Sequence, residues 1–158
     1  MKNLIASGLS LIAMLLIVGC GSNEKRTPQE YNNELMTIIN GNEQEISKMN
    51  AAMTASNYDQ ATIVQKEWSA AVDRDIKKVD SIGAYKDDKQ LQEAVWDGLK
   101  GYKKIVNEDY PKLIEIRKSN LTDPTGEQQA LENINAAFEN MANKVNVASD
   151  AFEAKHVK

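Results

Sequence analysis

The chain has 158 residues, with 19 basic against 23 acidic side chains, one cysteine and one histidine. A net-negative surface has no electrostatic pull on a phosphate backbone, so no nucleic-acid partner is expected. A single cysteine permits no internal disulfide, and a single histidine excludes histidine-cluster zinc sites and di-iron sites built on paired Glu-x-x-His motifs.

Residues 1–19 read as an export signal. Lys2 supplies a positive start, Leu4 to Val18 a short apolar run, and Gly19 a small residue directly before Cys20. The run falls short of the roughly 18 residues that a spanning helix needs, and Ser7, Gly8 and Ser10 interrupt it. Ile17-Val18-Gly19-Cys20 resembles a bacterial lipobox, in which an aliphatic residue stands two or three places before a small one and an obligatory cysteine follows. The lipoprotein resemblance implies cleavage between Gly19 and Cys20, diacylglycerol on the Cys20 sulfur, and an acyl chain such as palmitate on the new amino group. The lipid bilayer is then the first partner, reached through acylated Cys20. Each buried methylene contributes about 0.8 kcal/mol, so two or three chains make a firm anchor.

Cleavage removes Lys2, makes the surface one charge more acidic, and leaves a mature chain of about 139 residues, ample for one core. Residues 20–27 are the lipidated cysteine and a flexible tether, because Gly21 to Arg26 has nothing to bury. The tether from Gly21 to Thr27 reaches at most about 25 Å. A domain over 28–158 is thereby kept near the membrane. No acidic run follows Cys20, of the kind that marks export to the outer face in some Bacteroidetes-like lipoproteins. The expected address is the cell envelope, the outer membrane before the inner, with the periplasmic or surface face left open.

Thr27-Pro28-Gln29-Glu30 is a helix start with the elements of a capping box. Tyr31, Leu35, Ile38, Ile46, Met49, Met53 and Ser56 then recur at helical spacing, with polar Asn42 on the same stripe, which predicts one helix running to Ser56-Asn57. A second stripe runs from Ala61 through Val64, Trp68, Val72, Ile76 and Val79 to Ile82, ending at Gly83. After a link at Ala84 to Lys86, Asp87 is the expected cap of a third helix through Leu91, Val95, Leu99, Tyr102, Val106, Tyr110 and Leu113. Gly98 and Gly101 weaken it, and Pro111 cannot donate to the Asn107 carbonyl, so a kink is predicted near Pro111.

Ser119 to Gly126 reads as the longest loop, with Asp123 or Thr125 as the next cap. Leu131, Ile134, Phe138, Met141, Val145, Ala148 and Phe152 then keep a coiled-coil-like alternation of three and four. No stretch alternates with period two. The expected fold is all-α, an antiparallel up-down-up-down four-helix bundle, with exchange of two helical hairpins between chains as the other arrangement such stripes allow. In the bundle, Ser56-Asn57 and Ser119 to Gly126 point away from the membrane, and an envelope protein partner would be met there.

Catalysis is not expected. A serine–histidine pair would have to use His156 at a fraying terminus, and no Gly-rich phosphate loop follows a strand. The leading expectation is a non-catalytic binding or structural module of the envelope, with no cofactor. The alternative is a small-ligand or b-type haem carrier. His156 continues the stripe beyond Phe152, and an antiparallel fold brings it toward Met36, a pairing that resembles the methionine and histidine ligation of periplasmic b-type cytochrome bundles. Trp68, Trp96, Tyr102 and Tyr110 could line a pocket beside Gly98 and Gly101, although aromatics more commonly fill cores. The mixed charges from Asp73 to Lys78 read as a solvated helix face. Asp80-Ser81-Ile82 resembles the short acceptor motif of Bacteroidetes-type O-glycosylation. As architecture alone, the mature chain resembles the small all-helical lipoproteins of the Bacteroidetes kind, a likeness that transfers no site residues.

Overall fold

The computed structural model of the chain describes residues 26–119 and 122–157. The export signal with Gly19, the lipid-attachment residue Cys20 and most of the tether lie outside the described residues, as do Asn120, Leu121 and Lys158. The described chain is all-α. Its segments are α1 (Pro28–Asn40), α2 (Glu43–Thr54), α3 (Tyr58–Ile82), α4 (Gln90–Lys104), a π-helical segment (Ile105–Asp109), α5 (Tyr110–Lys118) and α6 (Pro124–His156). Among the described residues the only strand-like feature is an isolated bridge between Tyr85 and Asp88.

The first helix starts at the predicted capping box. Thr27 Oγ1 accepts from the Glu30 N–H at 3.2 Å, and Glu30 Oε2 accepts from the Thr27 N–H at 2.9 Å. The helix does not run unbroken to Ser56, because Gly41 and Asn42 interrupt it. The Asn42 N–H goes to the Ile39 carbonyl, three residues back, which tightens the turn. Asn42 is 2% exposed, and a buried amide must find partners. Its Oδ1 accepts from Trp68 Nε1 at 2.8 Å, while Nδ2 donates toward Asp75 Oδ2 at 3.3 Å and toward the Ile38 carbonyl at 3.3 Å. The polar residue on the apolar stripe is therefore where the first helix breaks.

α3 follows its predicted stripe, with Ala61, Val64, Trp68, Val72, Val79 and Ile82 buried. Asn57 caps it through the Gln60 N–H, and Ser56 takes a positive φ of 53° to make the turn. At the other end Gly83 has φ 70°, a conformation that costs glycine little. The next cap differs from expectation. Asp87 is exposed, and it is Asp88 Oδ1 that accepts from the Gln90 N–H at 3.1 Å. The Tyr85 and Asp88 backbones exchange hydrogen bonds across a tight turn, which turns residue 88 inward in place of 87.

Before Pro111, near which the sequence predicts a kink, the helix widens into a π turn. The Tyr110 N–H bonds the Ile105 carbonyl, five residues back. In that register the donor for the Val106 carbonyl would be residue 111, which as proline has no N–H. Gln65 on α3 fills the gap, its Nε2 donating to the Val106 carbonyl at 2.8 Å. The wide turn also lets adjacent pairs face inward, so that Ile105 with Val106 and Asp109 with Tyr110 are all buried.

α6 begins at Pro124, with Asp123 Oδ1 accepting from the Gly126 N–H at 2.8 Å. Gly126 therefore belongs to the helix, and the loop is shorter than the sequence suggested. Ile134, Val145 and Phe152 are buried, while Leu131, Phe138, Met141 and Ala148 pack at the core margin. Trp68 is fully buried, its ring 5.8 Å from Tyr102 and 5.7 Å from Tyr110. α1 meets α6 through Asn32, which bonds Ser149 and Glu153. Further along, Ile39 and Met141 converge on Gly98 of α4.

Gln65→Leu removes the donor to the Val106 carbonyl and strands a part-buried acceptor. We expect a loss of about 1–3 kcal/mol in a urea unfolding titration. Ser69→Ala, which loses an exposed hydroxyl bond to the Asn107 side chain, should change stability by less than about 0.5 kcal/mol.

Candidate functional site

The break at Asn42 separates α2 from α1, and α2 packs mainly on α3. Between α2, α5 and α6 lies an open cleft of about 440 Å³. Tyr110 and Leu113 come from α5, Leu131, Ile134 and Phe138 from α6, and Ile46 and Met53 from α2. Exposed Asn50 and Thr54 on one side and exposed Asn135 on the other supply a polar rim. Each helix lends its wall by the same three-four spacing that builds cores. Tyr110, Leu113, Ile134 and Met53 belong to the core, and Ile46, Leu131 and Phe138 pack against it, so the cleft is an indentation in the core's edge.

Two polar groups of the lining have defined states. A tyrosine hydroxyl is a protonated donor at physiological pH at its ordinary value of 10, and burial pushes that of Tyr110 further up, to about 12. Among the described residues it has no protein hydrogen-bond partner. Arg117, at the cleft end near the 119–123 loop, donates from Nε and Nη2 to the same Glu127 Oε1, both at 2.8 Å. Phe138 passes from the cleft wall to the interior, its ring 5.6 Å from Tyr102, which in turn stacks toward Trp68.

The residues singled out from sequence do not converge on this place. Trp68 lies beneath it, sealed in the core and bonded to Asn42. Trp96 packs at the core margin on α4 under the Lys100 ammonium, 3.5 Å from the ring centroid, and its buried Nε1 has no partner among the described residues. Met36 is partly buried against the core on α1. The register that sets Asn32 beside Ser149 and Glu153, and Ile39 beside Met141, places Met36 at the level of Val145, well short of His156. His156 Nε2 instead lies 2.9 Å from Asp88 Oδ2, with its ring 5.2 Å from Tyr85 and 4.7 Å from Phe152. The glycines also part company. A Cβ on Gly98 would stand 2.7 Å from Met141 Cγ, whereas one on Gly101 meets nothing within 4 Å. Ser81 is exposed, its hydroxyl donating to the Lys78 carbonyl. Among the described residues no group of three His, Cys, Asp or Glu side chains could hold a metal, and no helix is long and apolar enough to cross a membrane.

Sequence reading missed Asn50, Thr54 and Asn135 because rim positions fall between the apolar stripes. The one available signal was Gly41-Asn42, a break that frees α2 to stand away from α6. Comparison with protein-family models, curated proteins and solved structures found no match for this chain.

The cluster around Asp88 contributes to acid stability. Lys155, then His156, hold the Asp88 carboxyl down at about 2, against the ordinary 3.8. Because the folded value lies below the unfolded one, the contribution is complete above about pH 5 and fades as pH falls toward 2. We expect Asp88→Asn to lose about 2 kcal/mol at pH 6 in urea titrations, with the gap from the wild type closing as pH approaches about 2. The glycines give an opposite-sign pair: Gly101→Ala should raise stability by up to about 1 kcal/mol, and Gly98→Ala should lower it because Met141 must move.

Proposed function

We propose that this protein is a membrane-anchored lipoprotein of the bacterial cell envelope, a non-catalytic helical-bundle module that binds its partner through the α2–α5–α6 cleft. The cleft is the observation that carries the reading: apolar walls with a hydrogen-bonding rim, open at the surface. The lipobox-like Ile17-Val18-Gly19-Cys20 supports the anchor.

In this reading the helical runs 28–54, 58–82, 90–118 and 124–156 form an antiparallel up-down-up-down four-helix bundle. The contacts at the Thr27 end favour it. Tyr31 donates to the Gly83 carbonyl at 2.8 Å, and Lys155 and His156 reach Asp88, so the start of α1, the α3–α4 link and the end of α6 share one end. The cleft, beside Thr54 and Arg117, lies toward the other end and thus away from the tether. A lipidated Cys20 would hold the first end at the membrane and leave the cleft facing outward. His156, spent on Asp88 and remote from Met36, gives no support to haem ligation.

Two measurements test the proposal. Cys20→Ala should move the chain from the membrane to the soluble fraction of fractionated cells, and retention in the membrane would refute the anchor. A photo-crosslinking residue at position 50 or 135 should yield adducts in intact cells that the same residue at exposed Ile63 on α3 does not. Equal labelling from all three positions would refute the cleft as the binding face.

A further inference from the structure

We infer that the α2–α5–α6 cleft takes an uncharged, mainly apolar small molecule bearing a hydroxyl or carbonyl group, and discriminates against anions of the same shape. The inference rests on reading this cleft as the binding face, and adds the chemical class of what it binds.

Size points first to a small molecule. A volume of about 440 Å³ sits at the lower end of the range for small-molecule sites. The walls extend over two turns, from Ile46 to Met53 on α2 and from Leu131 to Phe138 on α6, a run of about 11 Å at 1.5 Å per residue. A partner helix laid along such a groove would have its anchoring side chains spread over three or more turns, about 16 Å. Two fused rings or a short branched chain match the available length.

Charge then narrows the class. Arg117 is the one charged residue among those lining the cleft, and two of its donors are already committed to Glu127. An entering carboxylate would compete with Glu127 for the guanidinium and would shed its hydration against Ile134, Leu113 and Met53. An entering ammonium would meet Arg117 with no carboxylate in the lining to balance it. What remains for recognition is neutral. Tyr110 lines the cleft, and its phenol, neutral at physiological pH, is a hydrogen-bond donor without a protein partner among the described residues. Exposed Asn50 on α2 and Asn135 on α6 both line the cleft, and each side-chain amide both donates and accepts. A hydroxyl or carbonyl on an apolar frame satisfies these groups without displacing an ion pair.

The test uses 1-naphthol and 1-naphthoate, which share a ring system and differ in charge at neutral pH. The full chain in detergent is equilibrated by dialysis against each probe, with the Asn135→Trp chain in the same detergent as the reference for partition into micelles. Position 135 is exposed, so the substitution obstructs the cleft without entering the core. Saturable excess binding of naphthol by the wild-type chain, at least about tenfold tighter than naphthoate and lost in Asn135→Trp, is the expected result. Naphthoate binding as tightly as naphthol, and equally lost in Asn135→Trp, would overturn the neutral-ligand inference while leaving the cleft as the binding face. Probe uptake identical in wild-type and Asn135→Trp chains would overturn both. Gly98→Ala on α4, which does not line the cleft and is expected to lower stability through Met141, serves as the control for general destabilisation and should retain the naphthol preference.

Discussion

Asn42 carries one amide into the core, and the way that amide is satisfied governs how the first half of the chain meets the rest. Its oxygen holds the Trp68 indole N–H, and its nitrogen is shared between Asp75 and the carbonyls that end α1. An unpaired amide at this depth would cost on the order of 1–3 kcal/mol, and the helix breaks at this residue with all of these bonds kept. α2, now a separate helix, forms one wall of the cleft and is tied at its base by the hydrogen bond from the fully buried Trp68.

A second polar requirement shapes the opposite wall. Pro111 leaves one carbonyl without a donor, and the π turn determines that it belongs to Val106, where Gln65 can reach it from α3. The same wide turn sets Tyr110 against Trp68 on one side and along the cleft on the other. It also buries Asp109, whose Oδ1 accepts from Asn133 of α6 at 2.7 Å. Two backbone irregularities, one on each side of Trp68, are thus stabilised by side-chain amides. Between them they shape the cleft lined by Tyr110.

The far end of the molecule is built differently. Tyr31, Tyr85 and Phe152 form a triangle with ring centroids 5.3 Å apart, and His156 closes over Tyr85 and Phe152. Such aromatic pairs add roughly 0.5–1.5 kcal/mol each beyond their buried area. Asp88 ties the terminal turn of α6 to the α3–α4 link beneath Lys155 and His156. The end that would face the membrane is therefore tightly closed, and a histidine that in sequence resembled a metal ligand serves as a latch.

The sequence by itself determined the helices, because the forces that start and stop them act over a few residues. The capping box at Thr27 and Glu30, the boundary at Ser56-Asn57, the cap at Asp123, one of the two residues read for it, and the three-four stripe of α6 are complete within short windows. Of the cleft, the sequence offered only Tyr110 as a candidate lining aromatic. Tertiary structure decided the rest. The Asp88 carboxylate, turned inward by the local turn, meets a residue 68 positions away, and the Asn42 amide at the helix break meets Trp68, 26 positions on. The π register depends on Gln65, 41 positions before the carbonyl it serves. A buried polar group takes whichever partner the packed chain brings within about 3 Å, and local pattern carries no record of that partner.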